Sequence, residues 1–317
     1  MKKNNILFKI TQGLLILFSF VSIICTTTNA VNSFPIYAQQ GYENPREATG
    51  RIVCANCHLA QKTVSIEVPK SILPNSVFEA RVSIPYNETE KQIIGNGTEG
   101  NLNTGAVLIL PEGFKLAPKT LLSNEIKNKT KNFYIQPYST SKENILVIGP
   151  IAGKNNQEII FPILSPDPSK DKNIFFSKYP IYVGGNRGRG QIYPTGDKSN
   201  NNTVTSAVNG TIKKIEEKAT GESIVNIEQN DGEITTTNIP KGLKLVVTEG
   251  NIVSMNQNLT NDPNVGGFGQ NETEIVLQSA TRIKRMIIFF IGVTIAQIFF
   301  VLKKKQWEKV QAANMNF

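Results

Sequence analysis

Histidine is all but absent from this chain: its 317 residues include one, His58, alongside only three cysteines and four methionines. A structural zinc site takes four ligands, mostly Cys and His. Once Cys25 is set aside in an amino-terminal export segment, Cys54, Cys57 and His58 have no fourth partner of either kind. Also missing is any excess of charge in the body of the chain. The formal net charge is +9, but Lys2, Lys3 and Lys9 at one end, and Arg282, Lys284, Arg285, Lys303, Lys304, Lys305 and Lys309 against Glu308 at the other, account for it. Residues 34–281 are left with 24 bases and 24 acids. A nucleic-acid-binding protein carries its basic face on the folded domain, so that class is excluded. Long apolar runs are scarce too, and a helical period is confined to the C-terminal segment and to 46–60.

The two apolar runs lie at the ends. Residues 1–33 open with Lys2 and Lys3, pass through a short apolar core at 14–25 and finish in small polar residues. This is the layout of a secretory signal, with cleavage after Ala30 or Ser33. The second run, 286–302, has 17 residues, enough to cross a bilayer with Lys303–Lys305 snorkelling at its end. The signal then places the body of the chain outside and 303–317 on the synthesis side.

Between the ends, short β-branched and apolar runs at 106–110, 144–148, 158–164, 180–183, 243–248 and 274–277 are bounded by Gly, Pro and Asn. They predict a mainly β protein with a β-sandwich as its large domain. A polar, Asn-rich stretch at 197–203 and a break at 261–269 delimit a small inserted β domain. The expected layout is a signal at 1–33, a large domain at 34–201 resumed at 264–281, a small domain at 202–263, a transmembrane helix at 286–302 and a tail at 303–317. The glycine-rich run 184–190, with Arg187 and Arg189, lacks the strand–turn–helix setting of a dinucleotide site and reads as a tight turn.

One motif carries chemistry. Cys54-Ala55-Asn56-Cys57-His58 is a C-x-x-C-H, in which two thiols reach the two vinyl groups of one haem and the His sets an imidazole beneath the iron. Zinc lacks its fourth ligand, a thioredoxin-like site lacks its βαβ context, and a disulfide leaves His58 unexplained. The sixth iron position stays open on these grounds. It falls to Met255, to an unusual amine, or to nothing, which would suit a peroxidase-like haem enzyme. An α-amino group, with a pKa of about 7.7–8.0, loses its proton far more readily than a lysine.

The run from Phe34-Pro-Ile-Tyr to Cys54-Ala-Asn-Cys-His58 resembles the mature amino terminus of the cytochrome f family, the haem subunits of the photosynthetic cytochrome bf complex. The likeness continues through Gly105-Ala-Val-Leu-Ile-Leu-Pro-Glu-Gly-Phe114, Tyr179-Pro-Ile-Tyr-Val-Gly-Gly-Asn-Arg-Gly-Arg-Gly-Gln-Ile-Tyr193, Asn264-Val-Gly-Gly-Phe-Gly-Gln270 and the basic end of the apolar run. The resemblance implies one haem c, bound covalently by Cys54 and Cys57, with His58 and the α-amine of Phe34 as axial ligands; that selects cleavage after Ser33. It implies a non-enzymatic electron carrier between a Rieske iron–sulfur protein and plastocyanin or a soluble c-type cytochrome. It implies a single-pass thylakoid protein with its large domain in the lumen. A proton-carrying water chain would be lined by Gln92, Asn186, Gln191, Asn201 and Asn264. The family's basic ridge survives at Lys91, but Thr98-Glu99 replaces the lysine pair that follows it, while Lys213, Lys214 and Lys218 supply charge from the small domain.

Overall fold

The computed structural model describes residues 35–315; Phe34, the expected signal segment and the last two residues lie outside them. The chain divides into two compact units, the larger formed by Phe34–Gln92, Asn101–Pro194 and Asn264–Phe317, the smaller including Ile93–Gly100 and Thr195–Pro263.

The larger unit is built on two sheets. One has the strand order Ser65–Glu67, Val77–Ser83, Glu158–Leu164, Lys115–Leu116. The other has the order Ser71–Ile72, Gly267–Leu277, Lys178–Arg187, Asn103–Ile109, Lys142–Ala152, Ile135–Ser139. Alternation explains the pairing. In Val77–Ser83, Phe78, Ala80 and Val82 are buried while Arg81 faces water, and the strand pairs antiparallel with Glu158–Leu164 from Ser83↔Glu158 to Val77↔Leu164. Phe78, Val82, Phe161 and Ile163 from one sheet meet Leu108, Leu146, Ile181, Val183 and Ile275 from the other in one apolar core. This is sheet-on-sheet packing, and the mainly β expectation holds.

The smaller unit has its own four-stranded antiparallel sheet, ordered Ile234–Ile239, Ser223–Glu228, Gly210–Glu217, Ile252–Val253. It covers a separate core of Ile212, Val225, Ile227, Ile239, Val253 and Leu259. A single helix, Ala280–Met315, closes the described chain and is long and apolar enough to cross a membrane. At 1.5 Å per residue it runs about 54 Å, well beyond the roughly 30 Å of a hydrocarbon core.

Three local expectations are corrected. Segment 243–248 is not a strand; it makes only an isolated bridge, Leu245↔Thr260. Within 46–60 the only helical element is one 3-10 turn, Val53–Asn56. The glycine run is not a tight turn over its length, because Gly184 and Gly185 lie inside the strand Lys178–Arg187. There a side chain has no room: a Cβ on Gly184 would stand 2.7 Å from the Phe268 ring, and one on Gly185 2.9 Å from Ile84. The turn starts at Gly188, with φ +73°.

Candidate haem site

The C-x-x-C-H motif folds as the 3-10 turn Val53–Asn56 and the residues after it. The Cys54 carbonyl accepts from the amides of Cys57 (3.2 Å) and His58 (3.0 Å), which wraps both cysteines and the histidine around one turn. The Cys57 carbonyl in turn accepts from Gln191 N at 2.7 Å, tying the motif to the loop that follows Lys178–Arg187. Ile52 and Val53 are buried beneath the turn. The Ile52 amide donates to Gln270 Oε1 at 3.0 Å, which fixes the entry to the motif.

Among the described residues Cys54 and Cys57 are both free thiols. Burial pushes the Cys54 thiol up to about 12 and also raises that of Cys57, so both stay protonated at neutral pH. His58 is 7% exposed, and burial lowers its pKa to about 4, leaving a neutral imidazole. Its Nδ1 is buried without a hydrogen-bond partner, and its Nε2 lies 3.4 Å from Asn186 Nδ2, longer than an ordinary hydrogen bond. A buried imidazole this poorly satisfied calls for an explanation. A neutral ring nitrogen with a free lone pair is what a metal takes. An open cleft of about 1400 Å³, lined by Arg46, Ala55, His58, Phe268 and Gln270 among others, borders the motif. Two free thiols, a neutral imidazole and adjoining space fit a c-type haem.

The polar residues expected around the site fall into two groups. In the larger unit a chain of bonds runs outward from the motif. Leu59 N donates to Gln191 Oε1 (2.9 Å), Gln191 Nε2 to Arg189 O (3.4 Å), Arg189 N to Gln92 Oε1 (2.8 Å), and Gln92 Nε2 to Asn101 O (2.8 Å). Asn186 joins at His58, and Asn264 Oδ1 accepts from Gly266 N at 3.0 Å in a turn. Asn201 is buried in the smaller unit, where its amide donates to Ser199 Oγ. Met255 also belongs to the smaller unit and is 60% exposed. Phe34 lies outside the described residues.

Two residues escaped sequence reasoning. Tyr138, 4% exposed, sets its hydroxyl 2.6 Å from the carbonyl oxygens of both Ala38 and Tyr42. It thereby holds the helix Pro35–Gly41 against the strand Ile135–Ser139, and Ala38, Cys54 and Ala55 pack on one apolar cluster with it. Nothing local announces this contact across a hundred residues. Arg187 is 1% exposed; its Nη2 donates to Thr63 O while Nε and Nη1 have no hydrogen-bond partner. Burial lowers its pKa to about 10, so the guanidinium stays charged at neutral pH. Its only signal in the sequence was an arginine inside a glycine-rich, strand-forming run.

The comparisons agree with the geometry. Two family models match, "Apocytochrome F, N-terminal" over residues 34–188 and "Apocytochrome F, C-terminal" over 200–317. Cytochrome f of Gracilaria tenuistipitata var. liui is 68% identical over 304 residues, covering 96% of this chain and 98% of its own length. Cytochrome f of Porphyra purpurea is 63% identical over 99% of this chain and 98% of its own, and that of Rhodomonas salina 58% over 99% and 100%. With both halves matched and relatives this similar end to end, the chain belongs to the cytochrome f family.

Proposed function

We propose that this chain is the electron-relaying haem subunit of a cytochrome bf complex, taking single electrons from a Rieske iron–sulfur protein and passing them to a soluble carrier. The observation that carries the reading is the pair of free thiols, Cys54 and Cys57, wrapped on one turn beside the buried, neutral imidazole of His58. A haem bound here supplies an iron that takes up and releases one electron without making or breaking a bond to a substrate. Cys54 and Cys57 would hold the group covalently through their sulfurs, and His58 would give the iron an imidazole nitrogen. Asn186 sits against the same imidazole and limits how its ring can turn.

The α-amine of Phe34 would give the iron its second nitrogen from the protein. In support, the helix Pro35–Gly41 is bonded through Tyr138, and its Ala38 shares an apolar cluster with Cys54 and Ala55, so the segment that follows Phe34 is tethered near the motif. An α-amine is deprotonated easily enough near neutral pH to bind iron. An iron held by both of these nitrogens would have no position left for a peroxide or other small substrate.

Gln92, Asn186, Gln191 and Asn264 in the larger unit line a proton-conducting water chain. The unbroken series of amide bonds from Leu59 to Asn101 supports this, since each side-chain amide offers both a donor and an acceptor to water. The helix Ala280–Met315 anchors the chain in the thylakoid membrane by one pass, with the haem domain in the lumen.

The acceptor is plastocyanin or a small soluble c-type cytochrome. Lys213, Lys214 and Lys218 are each paired with a glutamate, Glu228, Glu216 and Glu222 respectively. Local pairing of this kind weakens long-range steering of an acidic partner, so recognition depends on short-range fit. The test is the absorption spectrum of the reduced, full-length protein with and without carbon monoxide. A low-spin spectrum unchanged by the gas is expected; a shifted spectrum would show an open iron position and sink the relay reading.

A further inference from the structure

Three segments converge where the C-terminal helix leaves the six-stranded sheet of the larger unit. The strand Gly267–Leu277 leads through Gln278 and Ser279 into the helix Ala280–Met315. Ser71–Ile72 runs parallel beside it, with Val276↔Ser71 and Leu277↔Ile72, so Leu73 leaves the sheet in the same direction as Gln278. Lys178–Arg187 runs antiparallel, with Lys178↔Val276, so the residues before Lys178 lie at that same end. These segments are held firmly. Gln278 N donates to Ile72 O (2.8 Å), Leu277 N to Ser177 O (2.9 Å) and Ser165 Oγ to Leu73 O (2.7 Å). The Tyr179 hydroxyl both accepts from Phe175 N (2.9 Å) and donates to Phe175 O (2.8 Å).

Three apolar side chains nonetheless face outward there: Leu73 is 47% exposed, Phe175 66% and Phe176 40%. Their neighbour Ile174 is buried, 6% exposed, and fills the space over Gly113. The loop therefore inserts one apolar residue and leaves the next two outside. Height along the helix says what they meet. From Ala280 to Met286, where the apolar run begins, the helix rises about 9 Å, while the polar layer on each face of a bilayer is roughly 5–8 Å thick. Arg282, Lys284 and Arg285 thus fall at headgroup level, and the root of the helix lies at its outer margin. The acids of the loop do not oppose this: Asp167 and Asp171 cap their own turns at Ser169 and Asn173, and Glu274 pairs with Lys178.

We propose that Leu73, Phe175 and Phe176 form an apolar seat that rests in the headgroup layer beside the root of the helix, giving the larger unit a second point of contact with the lipid bilayer. Phe and Leu are among the residues that interfacial apolar faces set into the membrane surface, and the seat turns a single flexible tether into a footing that sets the height and tilt of the haem domain. The inference rests on the helix crossing the membrane.

The test uses the full chain in phosphatidylcholine vesicles, with Trp307→Phe removing the one native tryptophan and Phe175→Trp, or separately Leu73→Trp, placing a fluorophore in the seat. Tyr134→Trp is the control. Tyr134 is 79% exposed and adjoins Ile135, which the ladder sets level with Gly185, about 23 Å along the strand from Lys178. Lipid carrying a spin label on its headgroup should quench most of the emission of Phe175→Trp and Leu73→Trp and none of Tyr134→Trp, with less effect from a label deep in the acyl chains. Emission from both seat variants that ignores headgroup-labelled lipid, in protein that floats with the vesicles, overturns the seat and leaves the span standing. Protein that fails to float overturns both.

Discussion

Tyr138→Phe removes a single oxygen atom from the larger unit, and the account says where its loss is felt. The helix Pro35–Gly41 has seven residues, well short of the roughly 12–15 an isolated helix needs to persist in water. Its position depends on outside contacts, chiefly the Tyr138 hydroxyl between the Ala38 and Tyr42 carbonyls and Gln39 Nε2 donating to Tyr138 O at 2.8 Å. The hydroxyl has one proton, so the substitution removes one net hydrogen bond, about 1 kcal/mol. Ala38 O keeps its bond from Tyr42 N at 3.0 Å, and partly exposed Tyr42 can turn its carbonyl to water, so the cost does not climb towards that of an orphaned buried group. One kcal/mol is about a fivefold change in an opening equilibrium, or a Tm lower by about 2–4 °C if the whole unit responds. The assay is hydrogen exchange at the Tyr42 amide together with thermal melting, with exposed Tyr134→Phe as the reference. In Tyr138→Phe the amide should exchange about five times faster, and a small carbon monoxide-sensitive fraction should appear as the chain start loosens. Exchange no faster than in Tyr134→Phe would refute the tether.

Other substitutions probe different links. Phe161→Ala opens a cavity between the two sheets at a fully buried position and should cost about 3–5 kcal/mol in denaturant unfolding; a loss below 1 kcal/mol would contradict the shared core. Gly184→Ala brings a methyl against the Phe268 ring and should destabilise by about 1–3 kcal/mol, whereas a helix-style gain in stability would mean the strand assignment is wrong. Met255→Leu should leave the low-spin spectrum unaltered, since that side chain is largely exposed in the smaller unit; loss of the spectrum with the amino terminus intact would replace the amine by the thioether.

Much of the sandwich was legible because its inner strands are short, nearly continuous apolar runs buried on both faces. The run 158–164 is the strand Glu158–Leu164, and 106–110, 144–148, 180–183 and 274–277 are the apolar centres or ends of longer strands. What extends them is tertiary: Gly184 and Gly185 look like turn residues, yet they belong to the sheet because the Phe268 ring and Ile84 occupy the space their side chains would need. The run 243–248 has strand composition but gains only one bridging partner, so composition misled. The helix Pro35–Gly41 was invisible because its anchor lies near residue 138. At the site the contrast is similar. Cys54, Cys57 and His58 announce themselves by spacing, since the chemistry demands adjacency. Gln92 and Gln191 are brought to the two backbone groups of Arg189 only by the fold, and without the family resemblance they would read as ordinary loop amides.

The central claim is that one haem is fixed to Cys54 and Cys57 and that the chain starts at Phe34. Intact-mass measurement of the protein isolated from the membrane, followed by fragmentation of the peptide containing both cysteines, tests the two statements together. The account predicts a chain beginning at Phe34 with a single haem on that peptide, attached at both sulfurs. Unmodified thiols at Cys54 and Cys57, or a start that leaves extra residues before Phe34, would contradict it.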